Sequence, residues 1–349
     1  FVSANFVKNN SGLELVYTAN SENGEACFYV FNVENYGYIM VSASDCAHPI
    51  LAYSEESTFD INNVAPGLSD MMHVYTEAIT YAINSDAKAA LDIESEWKSL
   101  ENSGKVKPAM RGQSVEPLCT TKWNQSWPYN KFCPDQPANW ASNGHAVVGC
   151  VATAMAQIMA YWDYPTQGQG TKTYVPYCQE CHSGAYPQQT VNFGATTYDW
   201  ENMVDAISST SPVEQIDAIA TISYHCGVAV EMMYDHHGGG SGAFSTDVPA
   251  AISTYFKYAP STLVNRQNNS TWDEDLRNAI RMGRPVYYSG FDEEGGGHAF
   301  VCDGYDDNGL FHFNFGWGGA SDGFFTTEAM DYHVNSSAIM NWMPMEVYQ

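Results

Sequence analysis

Basic residues are scarce in this chain. Only 14 Lys and Arg stand against 40 Asp and Glu, giving a formal charge of −26 over 349 residues. Nucleic-acid binding needs clustered cations to neutralise phosphates, so this balance argues against it. It equally disfavours an anionic membrane surface. No apolar run is long enough to span a bilayer. No basic n-region leads an apolar stretch at Phe1-Val2-Ser3, so no signal peptide is visible; a start behind a removed signal fits the same observation. There is no internal repeat. The nine cysteines have spacings that demand no disulfide framework, and their odd number is consistent with one free reactive thiol. What is plentiful is Tyr, Asn, Ser and Gly at low charge density, a composition that suits an exported protein.

Among the cysteines, Cys150 stands out. It lies in Gly149-Cys150-Val151-Ala152-Thr153-Ala154, where a glycine-flanked loop turns into a helical run. Val151, Met155, Ile158, Met159 and Trp162 recur at helical spacing, and Asp163-Tyr164-Pro165 ends the run. Cys150 therefore belongs to the first turn. The free N–H groups and partial positive charge of a helix start favour thiolate over thiol and can hold an oxyanion. Taken alone, the segment also suits a small cysteine that merely packs a helix start.

Further along, Gly295-Gly296-Gly297-His298-Ala299-Phe300-Val301 sets a histidine between a glycine run and a strand-like stretch. Gly297 and its neighbours let backbone pass close to a bound substrate, and the strand fixes the imidazole. Phe313-Asn314-Phe315-Gly316-Trp317-Gly318-Gly319 closes a strand with an asparagine, followed by an aromatic shelf. Asn314 can hold one imidazole tautomer, and Trp317 can shield that bond from water. Upstream, Trp123-Asn124-Gln125-Ser126 offers an amide.

Cys, His, Asn and a following Trp, with a Gln ahead of the Cys, is the order of papain-like cysteine proteases. More specifically the chain resembles the streptopain family of bacterial cysteine proteases, of which interpain is a member. The resemblance rests on Gly149-Cys150-Val151-Ala152-Thr153-Ala154 with Gln157-Ile158-Met159. It continues in Pro285-Val286-Tyr287-Tyr288 leading to Gly296-Gly297-His298-Ala299-Phe300-Val301. It ends in Asn314-Phe315-Gly316-Trp317-Gly318-Gly319 running into Ser321-Asp322-Gly323-Phe324-Phe325. It implies an α+β, papain-like two-lobed catalytic domain, endopeptidase activity, and synthesis as a zymogen with an inhibitory pro-domain. It implies Cys150 as nucleophile, His298 as base, Asn314 as imidazole orienter and Gln125 as oxyanion donor. No metal and no cofactor are expected, and the resemblance implies protein or peptide substrates. It also implies a secreted or cell-surface protein of a bacterium. One departure is Phe315, where streptopain carries tryptophan.

The organisation expected is a small α+β domain followed by a larger one. Phe28-Tyr29-Val30-Phe31, Tyr38-Ile39-Met40-Val41 and Ile50-Leu51-Ala52-Tyr53 read as strands, and residues 68–97 follow a helical period. Residues 98–114 hold four of the 14 basic residues together with Pro, Gly and Ser, and read as an exposed, cleavable linker. This places an inhibitory pro-domain over residues 1–111 and the peptidase domain over 115–349. In the latter, residues 150–162 and 213–225 read as helices, and 286–288, 299–304 and 310–315 as strands of an antiparallel sheet.

Three other motifs lead to milder expectations. Cys178-Gln179-Glu180-Cys181-His182 has the form of a haem attachment or half a zinc site, but no matching second half exists, so a loop is expected. Asp235-His236-His237 before a glycine run reads as a substrate-side loop, and Asp306-Asp307-Asn308-Gly309 as a hairpin turn rather than a calcium loop. Two rival functions share parts of the site. A transglutaminase or deamidase uses the same Cys–His logic, usually with an acid as third member; a catalytically silent binding protein would normally lack the Cys or the His.

Overall fold

The computed structural model describes residues 12–85, 88–103, 114–135, 143–177, 187–234, 240–291, 297–327 and 336–348. The N-terminal unit opens with four strands, β1 (Leu13–Asn20), β2 (Ala26–Val33), β3 (Gly37–Ser42) and β4 (Ile50–Ser54), and continues with helices α1 (Pro66–Ser85) and α2 (Leu91–Ser103). The single helical period expected over 68–97 is thus two helices. The first helix ends at Asn84-Ser85, residues whose side chains compete for backbone hydrogen bonds and favour turns. α2 is clamped back on the β3–β4 connection: the Trp97 indole donates to the Ala47 carbonyl at 2.9 Å, and His48 Nδ1 lies 2.8 Å from Glu96.

The second unit begins with helical and irregular structure. α3 (Cys150–Trp162) is followed by β5 (Thr171–Tyr174) and β6 (Gln189–Asn192), which form a separate two-stranded sheet, then by α4 (Val213–Ala229) and α5 (Val248–Tyr255). The remainder is mainly strand: β7 (Val264–Asn265), α6 (Trp272–Arg281), β8 (Val286–Phe291), β9 (Gly297–Tyr305), β10 (Phe311–Asn314), β11 (Gly323–Phe325), β12 (Ser336–Ile339) and a terminal turn of helix, α7 (Met345–Tyr348). The 306–309 segment is the expected turn between β9 and β10: Asp306 Oδ1 accepts from the Asn308 and Leu310 N–H groups.

The units are not joined by the linker alone. Ten strands form one antiparallel sheet in the order β1-β2-β3-β4-β11-β10-β9-β8-β12-β7. The crossing point is β4 against β11, with Tyr53 opposite Phe324 and Ala52 opposite Phe325. Strand alternation then sorts side chains to two faces. Tyr287, Ala299, Val301 and Ile339 pack with α3 and α4 in one core. Val286, Tyr288, Phe300, Cys302, Phe311 and Phe313 pack with Leu68, Met72, Tyr75 and Ile79 of α1 and Leu276 and Ile280 of α6 in another. The second unit's part of the sheet is therefore sandwiched between its own helix α3 and the N-terminal unit's helix α1. Burying each large α1 side chain contributes roughly 1.5–3 kcal/mol. Gly67 marks the closest approach, since a Cβ there would sit 2.8 Å from Phe315 Cδ1.

Candidate active site

Gly149 sets the entry into α3. It has φ 90° and ψ 141° with no side-chain cap on the helix. A Cβ at Gly149 would lie 2.7 Å from Met232 Cε and 2.8 Å from the Ser241 carbonyl, so only glycine fits. This leaves half-buried Cys150 as the first helical residue, as its sequence context requires. Two opposing influences act on its thiol. Burial pushes it above the ordinary cysteine value; the N–H groups of Ala299, Val151 and Cys150 pull it down, and the Asp70 carboxylate adds a further upward push. The balance is upward, so the thiolate that a helix start alone would favour is not favoured in this arrangement. Burial and Asp70 are the reasons.

His298 follows Gly297, the exposed first residue of β9. Because Ala299 offers its N–H to the Cys150 sulfur, β9 brings its histidine to the edge of the same site. Strand parity, however, aligns His298 with Phe300 and Cys302, on the α1 face, not with Ala299 and Val301 on the α3 face. Its imidazole Nε2 lies 3.8 Å from Asp70 Oδ2 of α1. The N-terminal unit thus supplies the carboxylate beside the imidazole and also bears on the thiol.

Asn314 is fully buried at the end of β10, opposite Val301 rather than His298. Its amide nitrogen donates to the Thr121 carbonyl at 2.7 Å. Its oxygen accepts from Gln157 Nε2 at 2.9 Å and from the Gly316 N–H at 3.0 Å. In this arrangement the amide is engaged by these three partners. Gln157 is the other half of this arrangement. It is a fully buried polar residue on α3, and its Oε1 also accepts from Thr121 Oγ1 at 3.0 Å and the Trp123 N–H at 3.2 Å. Together Gln157 and Asn314 fix the Cys150 helix, the end of β10 and the 121–123 segment to one another.

Gln125 extends that segment. The Val148 N–H, two residues before Cys150, donates to the Gln125 carbonyl at 2.9 Å, and Asn124 Oδ1 accepts from the Gln125 N–H at 2.6 Å. Backbone pairing therefore brings Gln125 next to the approach to Cys150. Trp317 is half-buried against the α1-side core, and the following Gly318 N–H donates to the Trp123 carbonyl at 3.0 Å. Phe315 is buried among Phe300, Phe313 and Phe325, under Gly67.

A second charged group joins the units. His312 is buried on β10, its Nδ1 2.6 Å from Asp303 Oδ1 and its Nε2 3.4 Å from Glu56 of the N-terminal unit. Glu56 also pairs with Lys122, which lies 3.2 Å from Asp322. Burial alone would depress the His312 imidazole, but Asp303, followed by Glu56 and Asp322, outweighs it and raises it to about 9. The facing His312 imidazole lowers Glu56; burial opposes this and Lys122 reinforces it, leaving the carboxyl at about 2.

Sequence reading missed Asp70, Glu56, His312 and Gln157 as parts of this arrangement. Gln157 carried a signal, a lone amide inside an apolar helix. Asp70 and Glu56 carried none, because acids are common in this chain and their partners lie in the other unit. The expectations at residues 178–182 and 235–237, and most of the 98–114 linker, fall outside the described residues. Cys27, Cys119, Cys133, Cys150, Cys226 and Cys302 are free thiols. Among the described residues no cluster of three or more His, Cys, Asp or Glu is arranged to hold a metal, and no helix is long and apolar enough to cross a membrane.

Comparison with known proteins bears directly on this site. The sequence model of the peptidase C10 family matches residues 123–325, and that of the Spi protease inhibitor matches residues 2–79. The chain is 31% identical over 319 residues to the thiol protease/hemagglutinin PrtT of Porphyromonas gingivalis, covering 90% of this chain but only 35% of that protein. It is 31% identical over 314 residues to streptopain of Streptococcus pyogenes, covering 87% of this chain and 74% of that one. Among solved structures, a fragment of Prevotella intermedia prointerpain A aligns with a TM-score of 0.77 and 31% identity, over 95% of this chain and 98% of that one. Active wild-type interpain A from the same organism aligns with a TM-score of 0.57 and 35% identity, over 67% of this chain and 97% of that one.

Proposed function

Since the chain belongs to the peptidase C10 family, and its catalytic unit is a cysteine peptidase preceded by an inhibitor unit of the Spi type, we propose that it is an exported endopeptidase zymogen. Residues 1–111 are the pro-domain, 98–114 the cleavable linker and 115–349 the peptidase domain. The observation that carries the reading is the approach of β9 to the Cys150 sulfur: the Ala299 N–H reaches the thiol, and the neighbouring residue is His298.

In the latent form Asp70 takes the place beside the imidazole that the thiolate needs. Removal of the N-terminal unit withdraws that carboxylate and uncovers the α1 face of the sheet. His298 then takes the Cys150 proton, and the thiolate attacks a peptide carbonyl. The Cys150 backbone N–H and the Gln125 amide hold the oxyanion. His298 protonates the leaving amine, and water hydrolyses the thioester. Asn314 acts through Gln157, as a positioning residue for the Cys150 helix; Trp317 and Gly297 border the cleft.

The test is incubation of the full chain with casein before and after linker cleavage, with and without iodoacetamide. Cleavage that appears after processing and disappears on alkylation of Cys150 is the expected result. Casein hydrolysis unaffected by alkylation would overturn the assignment. A mass change on glutamine side chains without backbone cleavage would transfer it to a deamidase or transglutaminase.

A further inference from the structure

The N-terminal unit meets the catalytic sheet as an added strand. β4 lies antiparallel to β11. The Tyr53 ring stacks on Phe324 with centroids 5.1 Å apart and planes 12° from parallel. Tyr53 Oη donates to Asp306 Oδ2 at 2.9 Å, and Ser54 Oγ donates to the Asp322 carbonyl at 2.5 Å. Three residues after the stacked tyrosine, Glu56 reaches Lys122 and His312.

The receptor side of this contact is built entirely from catalytic-unit residues. Asp303 fixes His312 through Nδ1, and Asp322 fixes Lys122. The His312 side chain is 1% exposed. Its Nε2 points at the Glu56 carboxylate and has no closer hydrogen-bond partner among the described residues. When the N-terminal unit leaves, two donors that Asp303 and Asp322 continue to orient lose their acceptor. At the same time β11 becomes an edge with unpaired N–H and C=O groups. An open edge accepts an extended chain by backbone pairing, with side-chain pockets giving the selectivity.

We propose that in the processed enzyme the β11 edge, with the His312–Lys122 donor pair, is an exosite for extended acidic segments of protein substrates. The segment adds as a strand along Phe324 and Phe325. An aromatic ring stacks on Phe324, and a carboxylate three residues later occupies the place of Glu56. The proposal rests on the reading that the N-terminal unit is removed. β11 is separated from β9 by β10, which places the edge roughly 10 Å from the strand of His298. A docked segment therefore leaves the reacting groups open and tethers the substrate beside them.

The experiment starts from the full chain cut between Lys105 and Arg111, with the catalytic chain isolated and its turnover of a small peptide confirmed. Cys150 is then alkylated, and a fluorescent peptide of residues 50–58 is titrated by anisotropy. Saturable binding is expected, weakened at least tenfold by Glu56→Gln in the peptide, and not detected with the uncut chain, whose edge is covered. Any of four results would overturn the exosite: no saturable binding, equal binding of the Glu56→Gln or a scrambled peptide, equal binding by the uncut chain, or a catalytic-chain dimer that excludes the peptide. Peptide binding without small-substrate turnover would refute the peptidase reading alone; turnover without peptide binding would refute the exosite alone.

Discussion

Cys150 and Asp70 set the residue-scale behaviour. Cys150→Ala deletes only a sulfur at a helix start, so casein turnover by the processed enzyme should vanish while its melting curve stays in place. Gln125→Ala should lower kcat by roughly 10²–10³-fold, the usual size for one oxyanion donor; a silent substitution would assign the second donor elsewhere. Asp70→Asn removes the carboxylate beside His298 and lifts one upward push on the thiol. The side chains of the pair are 31% and 27% exposed, so screening limits the effect to about 1 kcal/mol, or about fivefold. That gain should be read in the uncut chain as faster iodoacetamide labelling of Cys150. Asn314→Ala strands the Thr121 carbonyl, Gln157 Nε2 and the Gly316 N–H. It should cost about 3 kcal/mol of stability, and kcat should fall only as far as α3 shifts. A pH profile displaced by this variant would instead mean that Asn314 contacts the imidazole during turnover.

At the scale of elements, the proposed inhibition falls to α1, because one helix both packs on the catalytic sheet and carries Asp70. Gly67→Leu would drive side-chain atoms into Phe315 and Phe300. Overpacking of this kind costs about 1–3 kcal/mol, and should raise basal small-peptide turnover of the uncut chain. Unchanged turnover would show that docking of α1 tolerates the intrusion. The same elements show what a reader of the sequence can and cannot see. β2, β3, β4, α3, α4 and the strands flanking His298 and Asn314 are legible because their apolar periodicity is local. Cys150 at the helix start is legible for the same reason. β1 escapes, its outer residues Leu13 and Leu15 being exposed. The face on which His298 lies is not legible, because parity matters only once the two cores are known. Nor is the β4–β11 junction, since no local pattern in a short strand names a partner on the other side of the chain. The type and setting of Asn314 suggest an imidazole orienter; its partners Gln157 and Thr121 lie on elements that only the fold brings together.

For the whole molecule, the charged group at the junction makes cohesion of the two units depend on pH. Glu56 is held at about 2, below its ordinary 4.5. Its contribution is therefore complete above about 4.5 and is lost as pH falls toward 2. His312 is held at about 9 rather than 6.5, so its contribution is complete below about 6.5 and is lost as pH rises through about 9. The two describe one coupled interaction, greatest between those limits. After linker cleavage, the N-terminal fragment should co-elute with the peptidase near pH 5–6 and separate from it at about pH 3, with Glu56→Gln abolishing most of that difference. An acid limb unaltered by Glu56→Gln would place the pH sensitivity elsewhere.

The junction also orders events in time. Ser54 and its partner Asp322 are 268 residues apart, and both Cys150 and His298 are made before β11. At ribosomal rates of about 5–20 residues per second, β4 waits roughly ten to fifty seconds for its partner. The inhibitor is thus available before there is an enzyme to restrain, at the cost of an open, translation-stage edge. Glu55 and Glu56 follow that edge directly, and charge at an open edge disfavours pairing with other strands.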